Sequence, residues 1–219
     1  MKTPRLKLYK QVDGFKVYIV DGAVIRKNIE PDFTNFGQHY RFNFIPVNEF
    51  WVDRSKGHDE YEFYIQNMLI ENDLMEKGYS YDNAHKLSCE KESELRKSQP
   101  KKDIKVGVLK KIGDVTVYLV DGEQVRNRYN VDFTQGGHDA VYSWIPQSEV
   151  WIDNDVPVEE RDEIVLHECY ERDKMESGRR YIPTHKEALK IENEYRKTNK
   201  MPKKYKGLIP RLVNRLRRE

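Results

Sequence analysis

One stretch of this chain combines side chains that could hold a metal ion and activate water. Leu166-His167-Glu168-Cys169-Tyr170-Glu171-Arg172 places His167 and Glu171 four residues apart. On a helix that spacing puts both side chains on one face. Imidazole nitrogen and carboxylate oxygen are both zinc ligands, and Glu168 between them is placed to work on a bound water. His185 opens the next expected helix, which a hairpin would fold back against the first. His138 follows two glycines in Gly136-Gly137-His138, read as a loop. The expected site is zinc held by His167, Glu171 and His185 or His138, with Glu168 as general base toward an amide or ester. The structural alternative makes Glu171 an ion-pair partner between the helices and His185 a satisfied residue of a helix's first turn.

Other chemistries have less support. No Gly-x-x-x-x-Gly-Lys-Ser/Thr loop, dinucleotide glycine pattern or Gly-x-Ser-x-Gly elbow occurs, which removes those nucleotide-binding and serine-hydrolase readings. Cys169 falls on a different helical face from His167 and reads as a small apolar filler. Asp32 and Asp132, each in Asp-Phe-Thr, read as side-chain turn caps.

The His167-Glu168 helix resembles the zincin metallopeptidase helix, in which His-Glu-x-x-His is followed by a ligand from a later helix. Here Glu171 stands where that motif has its second His. A wider string is similar to small uncharacterised proteins encoded by phages and prophages. It runs through Glu149, Trp151, Asp153, Leu166-His-Glu168, Glu171-Arg172, Met175, Gly178, Tyr181, His185 and Glu192. That resemblance implies a phage or viral setting and, by itself, no activity.

The elements that must carry these residues are written twice. Val17-Tyr-Ile-Val-Asp-Gly22 recurs as Val117-Tyr-Leu-Val-Asp-Gly122, and Glu49, Trp51 and Asp53 recur as Glu149, Trp151 and Asp153. About a third of residues 10–97 match the residue one hundred later without a gap, the signature of an internal duplication. Residues 1–98 form copy one and 105–198 copy two, joined by a polar, Pro-containing linker. In each copy an alternating strand ends at Asp-Gly, read as a hairpin turn. An aromatic-rich strand (40–45; 141–145) and a short Trp-containing strand follow. The second half is helical: residues 158–175 with Gly178 as its C-terminal glycine, then a helix opened by a capping box at Thr184-His-Lys-Glu187. The expected fold class is α+β, a tandem repeat of a small β-meander followed by a helical hairpin. Trp51, Trp151, Met75 and Met175 are expected in the core.

The copies differ where the chemistry lies. Gln66-Asn67-Met68 faces Leu166-His167-Glu168, and Gln38 faces His138; copy one keeps Glu71 and His85 in register. Copy one is therefore read as degenerate at this site.

Composition bounds the rest. The 219 residues are 35% charged and 37% apolar, yet 11% aromatic. That aromatic content excludes a disordered polyampholyte. No apolar run approaches the length of a membrane helix, and the start Met1-Lys-Thr-Pro-Arg-Leu-Lys has no apolar segment of the signal-peptide kind. Two cysteines make no disulfide framework, so a cytoplasmic setting (host cytoplasm or virion) is expected. The net charge of +2 divides into -1 for residues 1–100, -4 for 101–198 and +7 for 199–219. The last segment reads as a basic amphipathic helix. There Lys203, Lys204, Lys206, Arg211, Arg215, Arg217 and Arg218 would contact nucleic acid or an acidic protein surface. Two function classes follow. One is a phage-type tandem-repeat binding or assembly module, with copy one for protein contact and the tail on nucleic acid or an acidic partner, in a homo-oligomer or with a virion or host protein. The other is a zinc-dependent hydrolase with its site in copy two.

Overall fold

A computed structural model describes residues 4–200. The chain is α+β, with two four-stranded sheets, each followed by a helical pair, in two similar copies about 100 residues apart. Copy one runs β1 (Arg5–Val12), β2 (Phe15–Val20), α1 (Gly22–Asn28), β3 (Phe36–Gly37), β4 (Glu49–Asp53), α2 (Tyr61–Glu76) and α3 (Tyr81–Arg96). Copy two runs β5 (Lys105–Ile112), β6 (Val115–Val120), α4 (Gly122–Arg128), β7 (Gly136–His138), β8 (Glu149–Asp153), α5 (Arg161–Glu176) and α6 (Tyr181–Thr198). A single 3-10 turn precedes α2 and α5. Among the described residues no helix is long and apolar enough to cross a membrane.

The sheet orders are β1-β2-β4-β3 and β5-β6-β8-β7. The first two strands of each form an antiparallel hairpin, but β2 pairs with β4, and β6 with β8, in parallel. A simple meander would join these two through a tight turn; a parallel pair needs a long crossover, which residues 21–48 and 121–148 supply. The hairpin turns lie one strand earlier than Asp-Gly22. Asp13 (φ 47°) and Gly14 (φ 84°) are both left-handed, and in copy two Gly113 (φ 66°) is. Positive φ at both central residues is what a type I′ turn requires.

Asp21-Gly22 instead starts a helix. Asp21 is the N-cap of α1, its Oδ1 accepting from the Val24 N–H at 3.1 Å, which satisfies one of the free donors of the first turn. Gly22 is needed because a Cβ there would overlap the Asp53 carboxylate, and one at Gly122 would overlap that of Asp153. The segments 40–45 and 141–145, expected as strands, are successive turns. Phe42 N–H donates to the Gln38 carbonyl and Ile45 N–H to that of Phe42, which lets Phe42 and Ile45 gather with Trp51 rather than alternate across a sheet. The third strand is therefore the glycine-containing stretch just before them, and His138 sits on β7, not in a loop. The capping box at Thr184 is also displaced. Helix α6 begins at Tyr181, and the Thr184 hydroxyl donates to the Arg180 carbonyl. Pro183 occupies the first turn, where a missing N–H costs nothing.

The chain divides into two compact units, Met1–Lys102 with Glu123–Thr134, and Asp103–Gly122 with Gln135–Glu219. In the first, period-2 alternation sends Val17, Ile19, Phe50 and Val52 against Tyr64, Ile65 and Met68 of α2. Val20 and Trp51 on the other face pack with Ile25, Phe33, Phe42 and Ile45. In the second, Val117, Val150 and Ile152 pack against Ile164, Val165, Leu166 and Tyr170 of α5 and Ala188 and Ile191 of α6. Cys169 lies against this core as the apolar filler expected. Trp51 and Trp151 are buried, whereas Met75 and Met175, each in the last turn of its helix, are only half-buried. Past the end of α5, Gly178 is left-handed (φ 89°) and the Arg179 N–H closes back on the Lys174 carbonyl, the usual service of a glycine after a helix.

Candidate metal centre

The recurring Glu-x-Trp-x-Asp strand has structural work in both copies. Glu49 accepts from the Trp51 indole at 2.8 Å and Glu149 from Trp151 at 2.7 Å. In copy one Asp53 pairs with buried Arg26 at 2.7 Å. These repeated residues hold the sheet and leave the site to positions that differ.

In the second compact unit α5 lies across β7 and β8, and α6 packs antiparallel beside it. His167, Glu168 and Glu171 project from α5, His185 from the first turns of α6 and His138 from β7. All five sequence-predicted residues meet there, as two trios, His167–Glu171–His185 and His138–Glu168–Glu171, that share Glu171. His167 Nε2 is 3.2 Å from His185 Nδ1 and 4.0 Å from Glu171 Oε2. His185 Nδ1 is 3.3 Å from Glu171 Oε1, and His138 Nε2 is 3.3 Å from Glu171 Oε2. Ligands about 2.0–2.1 Å from a tetrahedral zinc ion stand about 3.3–3.4 Å apart, which the His167–His185 and His185–Glu171 edges approach and the 4.0 Å His167–Glu171 edge exceeds.

The direction of approach also matters. Glu171 Oε1 is buried and receives no aligned hydrogen bond, although His185 Nδ1 is close by.

An outer carboxylate orients the central imidazole. His167 Nδ1–H donates to Glu192 Oε2 at 2.8 Å, leaving Nε2 directed at the cluster. This is the carboxylate–histidine support typical of metal ligands. Burial alone would lower the His167 pKa, but the hydrogen bond and charge of Glu192, with Glu168 and Glu171 nearby, push it up to about 9. Burial would raise Glu171; the imidazoles of His138, His185 and His167 instead hold it down at about 2. Glu168 is pushed above the usual carboxylate range by burial, with Glu171 adding to that and the imidazoles opposing it. Burial and Glu168 raise the Cys169 thiol to about 12, so it is no activated nucleophile. His185 keeps 31% of its side chain exposed and is the solvent side of the site.

Copy one shows the same framework, with Glu71 and His85 kept but no counterpart of His138, His167 or Glu168. Asn67 donates to Glu92 at 2.8 Å where His167 donates to Glu192, and Gln38 donates to Glu71 where His138 meets Glu171. The imidazoles keep those hydrogen bonds and add a second nitrogen. Sequence reasoning did not assign Glu192 to the site. Its match with Glu92 suggested a purely structural residue, and only the geometry ties it to His167. Gly136 was also missed: a Cβ there would lie 3.0 Å from Glu168 Cγ and 3.2 Å from Oε1, so its bare backbone makes room for that carboxylate. The side-chain turn caps expected at Asp32 and Asp132 are reversed. Their backbone N–H groups are themselves capped, by Glu30 Oε1 at 3.2 Å and Asn130 Oδ1 at 2.9 Å. The Asp132 side chain turns to His85 and Cys89. Lys203, Lys204, Lys206, Arg211, Arg215, Arg217 and Arg218 lie outside the described residues. Comparison with known proteins finds no matching family model, no matching curated protein and no matching solved structure.

Proposed function

We propose that copy two is a zinc-dependent hydrolase acting on an amide or ester. The observation that carries the reading is the convergence of His167, Glu171 and His185, with His138 on the second oxygen of Glu171 and Glu168 in the adjoining trio. His167, Glu171 and His185 would hold the ion, with His138 against the second oxygen of Glu171. Bound there, zinc would polarise the scissile carbonyl and bring the pKa of a coordinated water to about 7. Glu168, its carboxyl raised by burial, is the group able to take a proton from water and return it to the leaving group. Glu192 and Gly136 are positioning residues: the first fixes the His167 tautomer, the second leaves space for Glu168.

Zinc analysis after dialysis of the full chain, with hydrolysis of peptide and ester libraries, tests this. His167→Asn copies the residue of copy one, so it should keep the Glu192 hydrogen bond and fold while losing zinc and activity. Glu168→Gln should keep zinc and lose turnover by about 100-fold or more. A dialysed chain without zinc bound at this cluster refutes the site. Zinc retained, with no hydrolysis abolished by Glu168→Gln, makes the centre structural.

A further inference from the structure

The first compact unit contains a second cluster built from different residues. His85 and Cys89 are four apart on α3 and share a face, and Asp132, in the Glu123–Thr134 segment of the same unit, comes up against both. His85 Nε2 is 3.3 Å from Asp132 Oδ1 and 3.7 Å from Cys89 Sγ, and Cys89 Sγ is 3.5 Å from Asp132 Oδ1. A tetrahedral ion with nitrogen and oxygen ligands at about 2.0–2.1 Å and sulfur at about 2.3 Å sets edges of about 3.4 Å for N···O and about 3.6 Å for the two sulfur pairs. The three distances follow that pattern, the oxygen–nitrogen edge being the shortest.

The arrangement behind the imidazole decides between a metal site and a nucleophilic triad. In a triad the carboxylate stands behind the histidine, on the nitrogen away from the cysteine. Glu71 accepts from His85 Nδ1–H at 3.1 Å. Asp132 lies on the Nε2 side at 3.3 Å, and Cys89 Sγ sits nearly level with both ring nitrogens, 3.7 Å from Nε2 and 3.9 Å from Nδ1, so no thiol–imidazole–carboxylate relay is lined up. An open groove of about 610 Å³ is lined by His85, Cys89 and Asp132 with Lys86 and Tyr129. It gives an ion the entry path such a site needs and leaves a fourth position open.

We propose that His85, Cys89 and Asp132 bind a borderline-soft divalent transition ion of the zinc class, with Glu71 as the outer carboxylate on His85. The thiolate makes this site spectroscopically distinct from that of copy two, whose cluster contains no cysteine. Cobalt(II) titrated into the metal-free full chain should give a near-ultraviolet thiolate-to-cobalt charge-transfer band that saturates at one ion per chain and is displaced by zinc. Cys89→Ala, at a half-buried position, should abolish the band, whereas Cys169→Ala and His167→Asn should leave it. Asp132→Asn, at an exposed position, should weaken cobalt binding, and Glu71→Gln should do so by about 10- to 100-fold. Absence of the charge-transfer band in the full chain, or its persistence in Cys89→Ala, overturns the proposal. Cobalt bound without that band, and lost in His167→Asn, would refute this site while leaving the copy two centre intact.

Discussion

Three replacements between register mates act together at the centre of copy two. Asn67 becomes His167, Gln38 becomes His138 and Met68 becomes Glu168. A fourth, Phe36 to Gly136, is their steric complement. In copy one Phe36 stacks on Tyr64 at 4.8 Å beside Met68, and in copy two the aromatic ring is gone and Glu168 fills the space. Gly136→Ala would place a methyl against both Glu168 and the Trp151 carbonyl. It should lower stability by about 1–3 kcal/mol, read from urea midpoints, with Phe36→Ala losing apolar packing instead. The candidate cluster was legible in the sequence because imidazole and carboxylate at helical spacing share one face. Gly136 and Glu192 were not, because a glycine needed for space looks like any turn glycine. Glu192 also repeats Glu92, which has its own structural partner in Asn67.

At the level of elements, the reading failed where one short pattern serves two structures. Asp-Gly suits a hairpin turn and suits an N-cap followed by a residue in close contact. The approach of Asp53, far along the chain, selects the second. The aromatic run at 40–45 has strand composition, but its side chains gather around Trp51 on one side, which a flat strand does not permit. The helical hairpin was read closely, since its glycine stop and apolar spacing are local signals. Gly22 offers the sharpest test of the corrected element. Asp21→Ala removes one capping bond and should cost about 1 kcal/mol. Gly22→Ala displaces Asp53 from Arg26 and should cost about 3–5 kcal/mol, as breaking a buried ion pair does. Equal losses for the two variants, measured by urea unfolding, would contradict the close-contact role.

Over the whole molecule, the duplication was plain in the sequence and the division into compact units was not. Similarity between copies records a shared origin, whereas packing decides where Glu123–Thr134 resides, and it resides with residues 1–102. Within that unit Glu60 is fully buried, 2.7 Å from Arg126 Nε and 2.9 Å from Arg96 Nη1. Burial opposes its charge, but Arg126 and Arg96 outweigh that and hold the carboxyl below its ordinary value. A depressed folded pKa means a contribution complete above the unfolded value of about 4.3 and lost as pH falls through the folded one. The urea midpoint should therefore drop between about pH 5 and pH 3. Glu60→Gln should be less stable at neutral pH and flatter across that range; an unchanged slope would assign the acid sensitivity elsewhere. The same segment sets an order on synthesis. Domains generally fold as units while the chain is being made, yet the first repeat ends at residue 98, before residues 123–134 are made. Until they do, Glu60 has Arg96 but no Arg126, and His85 and Cys89 have no Asp132. The apolar clusters of the first repeat draw on its own residues alone, but these two polar clusters close only when a strip of its duplicate has been translated.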